Sequence, residues 1–236
     1  MSLVSLKSVG KIYGQGSGAE VVALHGVDLT FAKGEYVAVM GPSGSGKSTL
    51  LATMGAMSAP TTGRVLIDGI DVYALRPDRQ ADLRREYLGF VFQQLELIPY
   101  LTAFENVMLP LAISPESGME DLAIAALQRV GLDKAKAGRL PSELSGGEQG
   151  RVAIARAVVN DPPAILADEP VGSLDRETGD QILDLLRSLA DRGHTVIMVT
   201  HNPESTQEVD RIVRLLDGRL DGIETPELES AQTRER

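Results

Sequence analysis

Length, composition and charge set the first limits on this chain. Its 236 residues suffice for one large or two small domains, and 43% hydrophobic with 24% charged residues is ordinary for a soluble globular protein. The absence of cysteine excludes disulfides and thiolate metal sites. A formal net charge of −10, without any block rich in lysine and arginine, makes nucleic acid a poor candidate partner.

Neither a membrane span nor a signal peptide is predicted. The sequence has no run of 18 or more apolar residues, and its first seven residues lack a basic region and a long apolar stretch. We therefore expect a protein of the cytosol that reaches a membrane only through another chain.

The first part of the chain predicts an antiparallel sheet. Short apolar pieces at 3–9, 21–24 and 27–31 are broken by the glycine-rich stretch 14–18, and a further piece at 63–67 is followed by the turn Asp68-Gly69. Three other runs, at 36–40, 164–167 and 195–200, are apolar without alternation. Such runs are typical of parallel strands that helices cover on both faces.

Helices are predicted at 47–57, 119–130, 145–159 and 176–190, the last with leucine and isoleucine at helical spacing. The mostly helical region at about 92–160 is interpreted as an insertion between two strands of an α/β core. There is no internal repeat, so residues 1–236 predict a single module. The tail from about Asp221 is polar and charged, which predicts poor order.

The most specific motif matches the pattern GxxxxGK[ST]. It follows a predicted strand and leads into a predicted helix, the context in which this motif forms a phosphate-binding loop. Glycines allow several backbone N–H groups to point at a polyphosphate, and the helix adds its positive end. Lys47 is the candidate for the β- and γ-phosphates and Ser48 for Mg²⁺. The alternative is a surface loop rich in glycine and serine. The predicted phosphate-binding residues are Gly41, Pro42, Ser43, Gly44, Ser45, Gly46, Lys47, Ser48 and Thr49.

Two acids end the apolar strand at 164–167. Asp168 is the candidate for the Mg²⁺ shell, and Glu169 is placed to polarise an attacking water. The alternative is a solvated acidic turn. A second anion-binding helix end is predicted at Leu144-Ser-Gly-Gly-Glu148, where Ser145 can cap the helix and Gly146 and Gly147 permit close approach of a backbone.

With these motifs in this order, the chain resembles the ATP-binding cassette ATPases over nearly its whole length. The resemblance implies a P-loop NTPase (RecA-like) core with a mostly parallel sheet, an N-terminal antiparallel β subdomain and a helical insertion. It assigns the family signature to 144–148 and includes Glu148 in the nucleotide site. It further implies a Q-loop glutamine at Gln93 that contributes to catalysis and to the metal site, a D-loop at Ser173-Leu174-Asp175, a switch histidine at His201 and an adenine-stacking aromatic at Tyr13.

The resemblance also implies that two copies clasp head to tail around two ATP molecules, with the Lys47 loop of one copy facing Ser145 of the other. A chain with two separate phosphate-binding helix ends fits a symmetric dimer that uses each end once per nucleotide. ATP and Mg²⁺ are the implied ligands. Glu169 would orient water and His201 would steady the transferring phosphoryl group.

The segment at 89–111 resembles the lipoprotein-release and macrolide-export branch (LolD/MacB-like), which also includes haem and antimicrobial-peptide exporters. This implies the ATPase subunit of a transporter at the cytoplasmic face of the membrane, bound to a separate permease, which can have a periplasmic or extracellular component. In this class the region after the Q-loop meets the permease, and five apolar residues there either dock it or fill the local core: Leu95, Leu97, Ile98, Tyr100 and Leu101.

Two other classes compete with this hypothesis. Soluble cassette ATPases of DNA repair or translation usually have a long coiled coil or two cassettes in tandem, and this chain has neither. A P-loop GTPase is disfavoured because the sequence has no Asn-Lys-x-Asp motif. The chain departs from the family at Gly150, where glutamine is common, and this glycine predicts a looser signature helix.

Overall fold

The computed structural model describes residues 1–16, 18–112 and 118–226. In this part of the chain, ten strands form two sheets, and seven α-helices pack on them. The strands are β1 Ser2–Tyr13, β2 Val21–Ala32, β3 Tyr36–Met40, β4 Thr62–Ile67, β5 Ile70–Asp71, β6 Leu88–Val91, β7 Ala164–Asp168, β8 Thr195–Thr200, β9 Arg211–Leu216 and β10 Arg219–Glu224. The α-helices are α1 Lys47–Met54, α2 Pro77–Tyr87, α3 Ala103–Ala112, α4 Met119–Arg129, α5 Lys134–Ala137, α6 Gly146–Val158 and α7 Arg176–Asp191.

The larger sheet has the order β10-β9-β3-β8-β7-β6, and all neighbours are parallel except β9 and β10. Every residue of β3 and β8 is buried, as continuous apolar runs predict. Side chains of β3 alternate between two hydrophobic cores: Tyr36, Ala38 and Met40 face one, and Val37 and Val39 the other. The three predicted parallel strands are thus confirmed, and their carboxyl ends meet at one edge.

The smaller sheet is antiparallel, with the order β2-β1-β4-β5, which confirms the predicted N-terminal subdomain. Two apolar pieces predicted as separate strands form one strand, β2. Its pairing with β1 shifts between Val27 and Leu24, where Gly26 has φ of +67°. A bulge at this glycine therefore lets a single strand continue through the break in the apolar pattern.

Helices α3 to α6 lie between β6 and β7, within the predicted helical insertion at 92–160. Their apolar faces join the core that covers one face of the parallel sheet, through Val107 of α3, Leu127 of α4 and Ile154 of α6. Helix α1 covers the opposite face with Leu50 and Met54. The antiparallel sheet shares this second core through residues such as Leu6 and Phe31, so apolar groups cover both faces of the central strands.

Two sequence predictions need correction. Helix α1 ends at Met54 rather than at residue 57, because Gly55 caps it and Ala56 takes a left-handed φ of +56°. The tail predicted from about Asp221 begins inside β10, whose strand runs to Glu224. That strand is stabilised by an ion pair between Glu224 and Arg214 of β9, at 2.6 Å. Residues 227–236 of the predicted tail lie outside the described part of the chain.

Candidate nucleotide-binding site

The loop predicted to bind phosphate connects β3 to α1, so it has the expected position between a strand and a helix. Gly44 and Gly46 have positive φ angles of +82° and +98°, which other residues rarely adopt. A Cβ at Gly41 would lie 2.1 Å from the carbonyl oxygen of Leu215, so this position also excludes a side chain. The loop is therefore shaped by glycine where the backbone turns and where it packs against β9.

Lys47 is folded back over the loop. Its side chain is only 7% exposed, and Nζ donates hydrogen bonds to the carbonyl oxygens of Gly41 at 2.8 Å and Pro42 at 2.9 Å. Both acceptors are neutral carbonyl oxygens of the loop itself. This places a cation where a polyphosphate would bind.

Ser48 and Asp168 meet across the carboxyl ends of β3 and β7. The Ser48 hydroxyl hydrogen-bonds the Asp168 carboxylate, although 120 residues separate the two in sequence. The pKa of Asp168 is raised overall, mainly because the carboxylate is partly buried. The hydrogen bond from Ser48 and the charge of Lys47 oppose this shift, whereas the charge of Glu169 adds to it. A hydroxyl and a carboxylate are the oxygen ligands that Mg²⁺ takes when phosphate oxygens complete its shell. The donor set fits that ion.

Glu169 and His201 form a direct contact at the ends of β7 and β8. Oε1 of Glu169 lies 2.8 Å from Nδ1 of His201, and a cavity of about 380 Å³ opens beside the pair. The Glu169 backbone has a left-handed φ of +45°, and its N–H donates to the Val199 carbonyl. The Glu169 backbone is thus held in an uncommon conformation, and His201 contacts the carboxylate directly.

The predicted signature helix, α6, begins with a capping box. Ser145 Oγ accepts a hydrogen bond from the Glu148 amide at 3.3 Å, and a Glu148 carboxylate oxygen accepts from the Ser145 amide at 2.9 Å. Lys136 of α5 also binds this carboxylate, with Nζ 2.8 Å from Oε1. The contact with Lys136 is the main reason that the pKa of Glu148 is lowered. Sequence reasoning predicted Ser145 as the cap but missed Lys136.

The signature glycines pack against the start of α7. A Cβ at Gly147 would lie 2.2 Å from the Thr178 methyl carbon, and one at Gly146 would lie 3.3 Å from Leu174. Asp175 caps α7 by accepting a hydrogen bond from the Thr178 amide at 3.0 Å. Asp175 therefore has a structural role within its own chain, and it lies in the segment that packs against the signature turn.

The structure places Gln93 and Tyr13 at exposed positions. Gln93 lies in the turn after β6, and Tyr13, the last residue of β1, is 43% exposed. Lys11 Nζ lies 5.0 Å from the centre of the Tyr13 ring. An exposed ring at the end of a strand is available for stacking on a base. Among the residues that the structure describes, no hydrogen bond or ion pair joins either side chain directly to Lys47 or Glu169.

The other two histidines lie away from this site. His194 is buried, and its Nδ1 lies 2.7 Å from the Pro162 carbonyl oxygen, so it has a structural role. His25 is exposed on β2.

Gly150 is buried in α6. A Cβ there would lie 3.4 Å from Ile182 Cδ1, an ordinary van der Waals distance, and the backbone is helical. We expect Gly150→Ala to raise the free energy of unfolding by about 0.5–1 kcal/mol, since alanine loses less backbone entropy in a helix. Chemical denaturation followed by circular dichroism measures this. Gly147→Ala, which meets Thr178, is the contrasting variant, and we expect it to destabilise the protein. A destabilised Gly150→Ala protein would show that the helix cannot accept a methyl group there.

Comparison with known proteins decides the family. The family described as ABC transporter matches residues 24–172, more than half of the chain. The chain belongs to the ABC transporter ATPase family. A relative from Thermotoga maritima, an uncharacterised ABC transporter ATP-binding protein, is 49% identical over 94% of this chain and 95% of its own length.

Two further relatives of this family have names that describe transport. The lipoprotein-releasing system ATP-binding protein LolD 1 of Rhodopseudomonas palustris is 43% identical over 93% of this chain and 99% of its own. The macrolide export protein MacB of Escherichia coli is 46% identical over 92% of this chain, which spans 34% of MacB. The resemblance to the LolD/MacB-like branch agrees with both.

Solved structures of the family show the same fold. The cassette MJ0796, from Methanocaldococcus jannaschii, was solved as a dimer and superimposes with a TM-score of 0.86 at 44% identity, over 94% of this chain and 98% of its own. A second structure of MJ0796 is a dimer in a post-hydrolysis state with bound ADP and phosphate. The RecA-like fold class and the assignment as an ATPase of this family are thereby confirmed. No helix in the described ranges is long and apolar enough to cross a membrane.

Proposed function

We propose that this chain is the ATP-hydrolysing subunit of a membrane transporter and works as a head-to-tail dimer. The observation that carries the hydrolysis is the 2.8 Å contact between Glu169 and His201 at the ends of β7 and β8. Strand β3, which leads into the phosphate loop, lies beside β8, so both parts of the site are at the same edge of the sheet.

Each residue has a role in this proposal. Lys47 leaves the carbonyls of its own loop and binds the β- and γ-phosphates, while Ser48 and Asp168 hold Mg²⁺, with Gln93 as a further ligand. When bound, the ion neutralises charge that develops on the phosphate oxygens. Glu169 accepts a hydrogen bond from a water molecule and orients this water for in-line attack on the γ-phosphate. His201 holds Glu169 and faces the transferring group, and Tyr13 stacks on adenine.

The dimer supplies the second half of each site. The N-terminus of α6 offers an anion the free backbone amide of Gly147 and the Ser145 hydroxyl. This helix end belongs to a different segment from the phosphate loop, which precedes α1. In the proposed dimer, Ser145, Gly146 and Gly147 of one copy face the γ-phosphate held by the other, and Asp175 lies at the seam. The relative MJ0796 was solved as a dimer, once with bound ADP and phosphate, which supports an assembly of two copies.

A groove beside α3 is the proposed contact with the permease. Its volume is about 520 Å³, and its apolar floor and its three arginines offer an amphipathic segment both a hydrophobic contact and cationic partners. The groove includes Met57, Arg84, Arg85, Phe90, Phe92, Leu109, Pro110 and Arg156. Of the residues that sequence reasoning considered for docking, Leu95 is buried and Leu97 packs on the core, whereas Tyr100 is 78% exposed.

We expect Leu109→Glu to abolish co-purification with the permease from detergent-solubilised membranes, while the isolated protein keeps its ATPase rate. Leu109 is 38% exposed in the groove, so a carboxylate there is solvated and does not disrupt the fold. Leu122→Glu is the matched control, because Leu122 is 49% exposed on α4 outside the groove. Unchanged co-purification of the Leu109 variant would place the permease elsewhere.

The proposed direction and cargo class come from the relatives. The names LolD and MacB describe lipoprotein release and macrolide export, and this favours export or extraction from the membrane, with the chain at the cytoplasmic face. A periplasmic or extracellular component of the assembly is part of this proposal. The alternative, a soluble ATPase of DNA repair or translation, predicts recovery with DNA or ribosomes. Recovery with a permease from membranes separates the two.

A further inference from the structure

The turn that carries Gln93 has an unusual backbone. Two successive residues after it, Leu95 and Glu96, have left-handed φ angles of +57° and +47°, and neither is glycine. Hydrogen bonds from Leu95 N to the Phe92 carbonyl and from Glu96 N to the Gln94 carbonyl tighten the chain around Gln93. Left-handed backbone costs energy in residues with a Cβ, so contacts from elsewhere must hold this turn.

Arg156 makes those contacts. One guanidinium nitrogen donates to the Glu96 carbonyl at 2.6 Å and another to the Leu95 carbonyl at 2.6 Å. A planar guanidinium has the fork geometry to bind two neighbouring carbonyls at once, and a charged donor strengthens both bonds. Arg156 belongs to α6, the helix that begins at the signature, so one side chain joins the signature helix to the turn of Gln93.

The same arginine lines the groove. Arg156, Glu96 and Phe92 share its wall with Leu109 and Pro110 of α3. The Phe92 ring in this wall stacks on the Phe90 ring, with 5.8 Å between the ring centres. A segment bound in the groove therefore touches the group that holds the strained turn.

From this geometry we infer that Arg156 is a positioning residue, which fixes Gln93 by clamping Leu95 and Glu96. It thereby couples both the signature helix and an occupant of the groove to the metal-binding side of the nucleotide site. The inference rests on the proposed role of Gln93 as a ligand of Mg²⁺.

The test measures the Mg²⁺ concentration that gives half-maximal ATPase activity of the full chain. We expect Arg156→Met to raise this concentration several-fold and to lower turnover about tenfold, while nucleotide binding without Mg²⁺ stays unchanged. Arg129→Met is the matched control: Arg129 lies on α4 and pairs with exposed Asp161 at 3.4 Å, away from the turn. An unchanged Mg²⁺ requirement in Arg156→Met, with lowered thermal stability alone, overturns the inference.

Two more variants complete the experiment. Glu96→Gly removes the left-handed strain, and we expect it to restore part of the turnover lost in Arg156→Met. If Arg156→Met does not fold, Arg156→Lys replaces it, because lysine keeps the charge but cannot bind two carbonyls at once. A raised Mg²⁺ requirement in Arg156→Lys then supports the inference, and an unchanged one overturns it. Gln93→Ala separates the two proposals. If it leaves the Mg²⁺ requirement unchanged, the proposed role of Gln93 is wrong, whereas an effect in Gln93→Ala without one in Arg156→Met removes only the inference.

Discussion

Glu169→Gln is expected to bind ATP with near-normal affinity and to hydrolyse it at about 10⁻² to 10⁻⁴ of the normal rate, the range for loss of a general base. Glutamine has the shape of glutamate and keeps an oxygen or N–H toward His201, 2.8 Å away, so the strained backbone at this position is retained. Its amide cannot accept a proton from water. The nucleotide is therefore held without being consumed.

A consequence of this block is a stable dimer. With ATP bound and not cleaved, two copies of Glu169→Gln stay together, and light scattering after gel filtration reports the doubled mass. Glu120→Gln is the control, because Glu120 is exposed in the first turn of α4 and touches no part of the site. A turnover near that of the wild type in Glu169→Gln would show that Glu169 is not the general base.

Lys47→Ala is expected to weaken ATP binding by about 10- to 100-fold, the range for losing one hydrogen bond to a charged group. Lys47 is 7% exposed, and within the described ranges its ammonium group donates to the Gly41 and Pro42 carbonyls and has no anionic partner at hydrogen-bond distance. An anion binding to the loop therefore gains most of this interaction. The alanine variant retains the glycine backbone, and its fold is expected to persist.

Isothermal titration calorimetry measures the effect of this change. Lys33→Ala is the control, since Lys33 is an exposed lysine paired with Asp68 at 2.8 Å, outside the nucleotide site. Equal affinity in the Lys47 variant and the wild type would mean that the loop binds phosphate through its backbone alone.

The features of the site that were predicted from sequence are those encoded in contiguous residues. The phosphate loop, the paired acids after β7 and the cap at Ser145 each need only a few neighbouring residues and a helix or strand of the right kind. The same holds for β3 and β8, whose continuous apolar runs indicate burial on both faces.

Contacts between distant segments were not predictable in this way. The pairing of Lys136 with Glu148 and of Arg156 with the turn after Gln93 depends on how α5, α6 and the Q-loop pack, and no periodicity encodes that. Helix α2 was missed because only Leu83 of its side chains is buried, which leaves no apolar stripe. Helix α3 was missed because it contains Pro110, which ordinarily ends a helix.

The central claim is that each nucleotide site needs the phosphate loop of one copy and the signature of the other. The direct test mixes two variants, Lys47→Ala and Ser145→Asp, at an ATP concentration at which neither variant alone hydrolyses ATP. Aspartate caps a helix as well as serine does, so α6 remains formed, but its charge repels the γ-phosphate; Ser145→Asn caps without the charge and serves as control.

In a mixed dimer, the intact loop of the Ser145→Asp copy faces the intact signature of the Lys47→Ala copy. We therefore predict that an equimolar mixture regains about a quarter of the wild-type ATPase rate, since half of the dimers are mixed and each has one complete site of two. A mixture as inactive as its two components, while wild-type copies mixed in the same way remain fully active, would contradict the shared site.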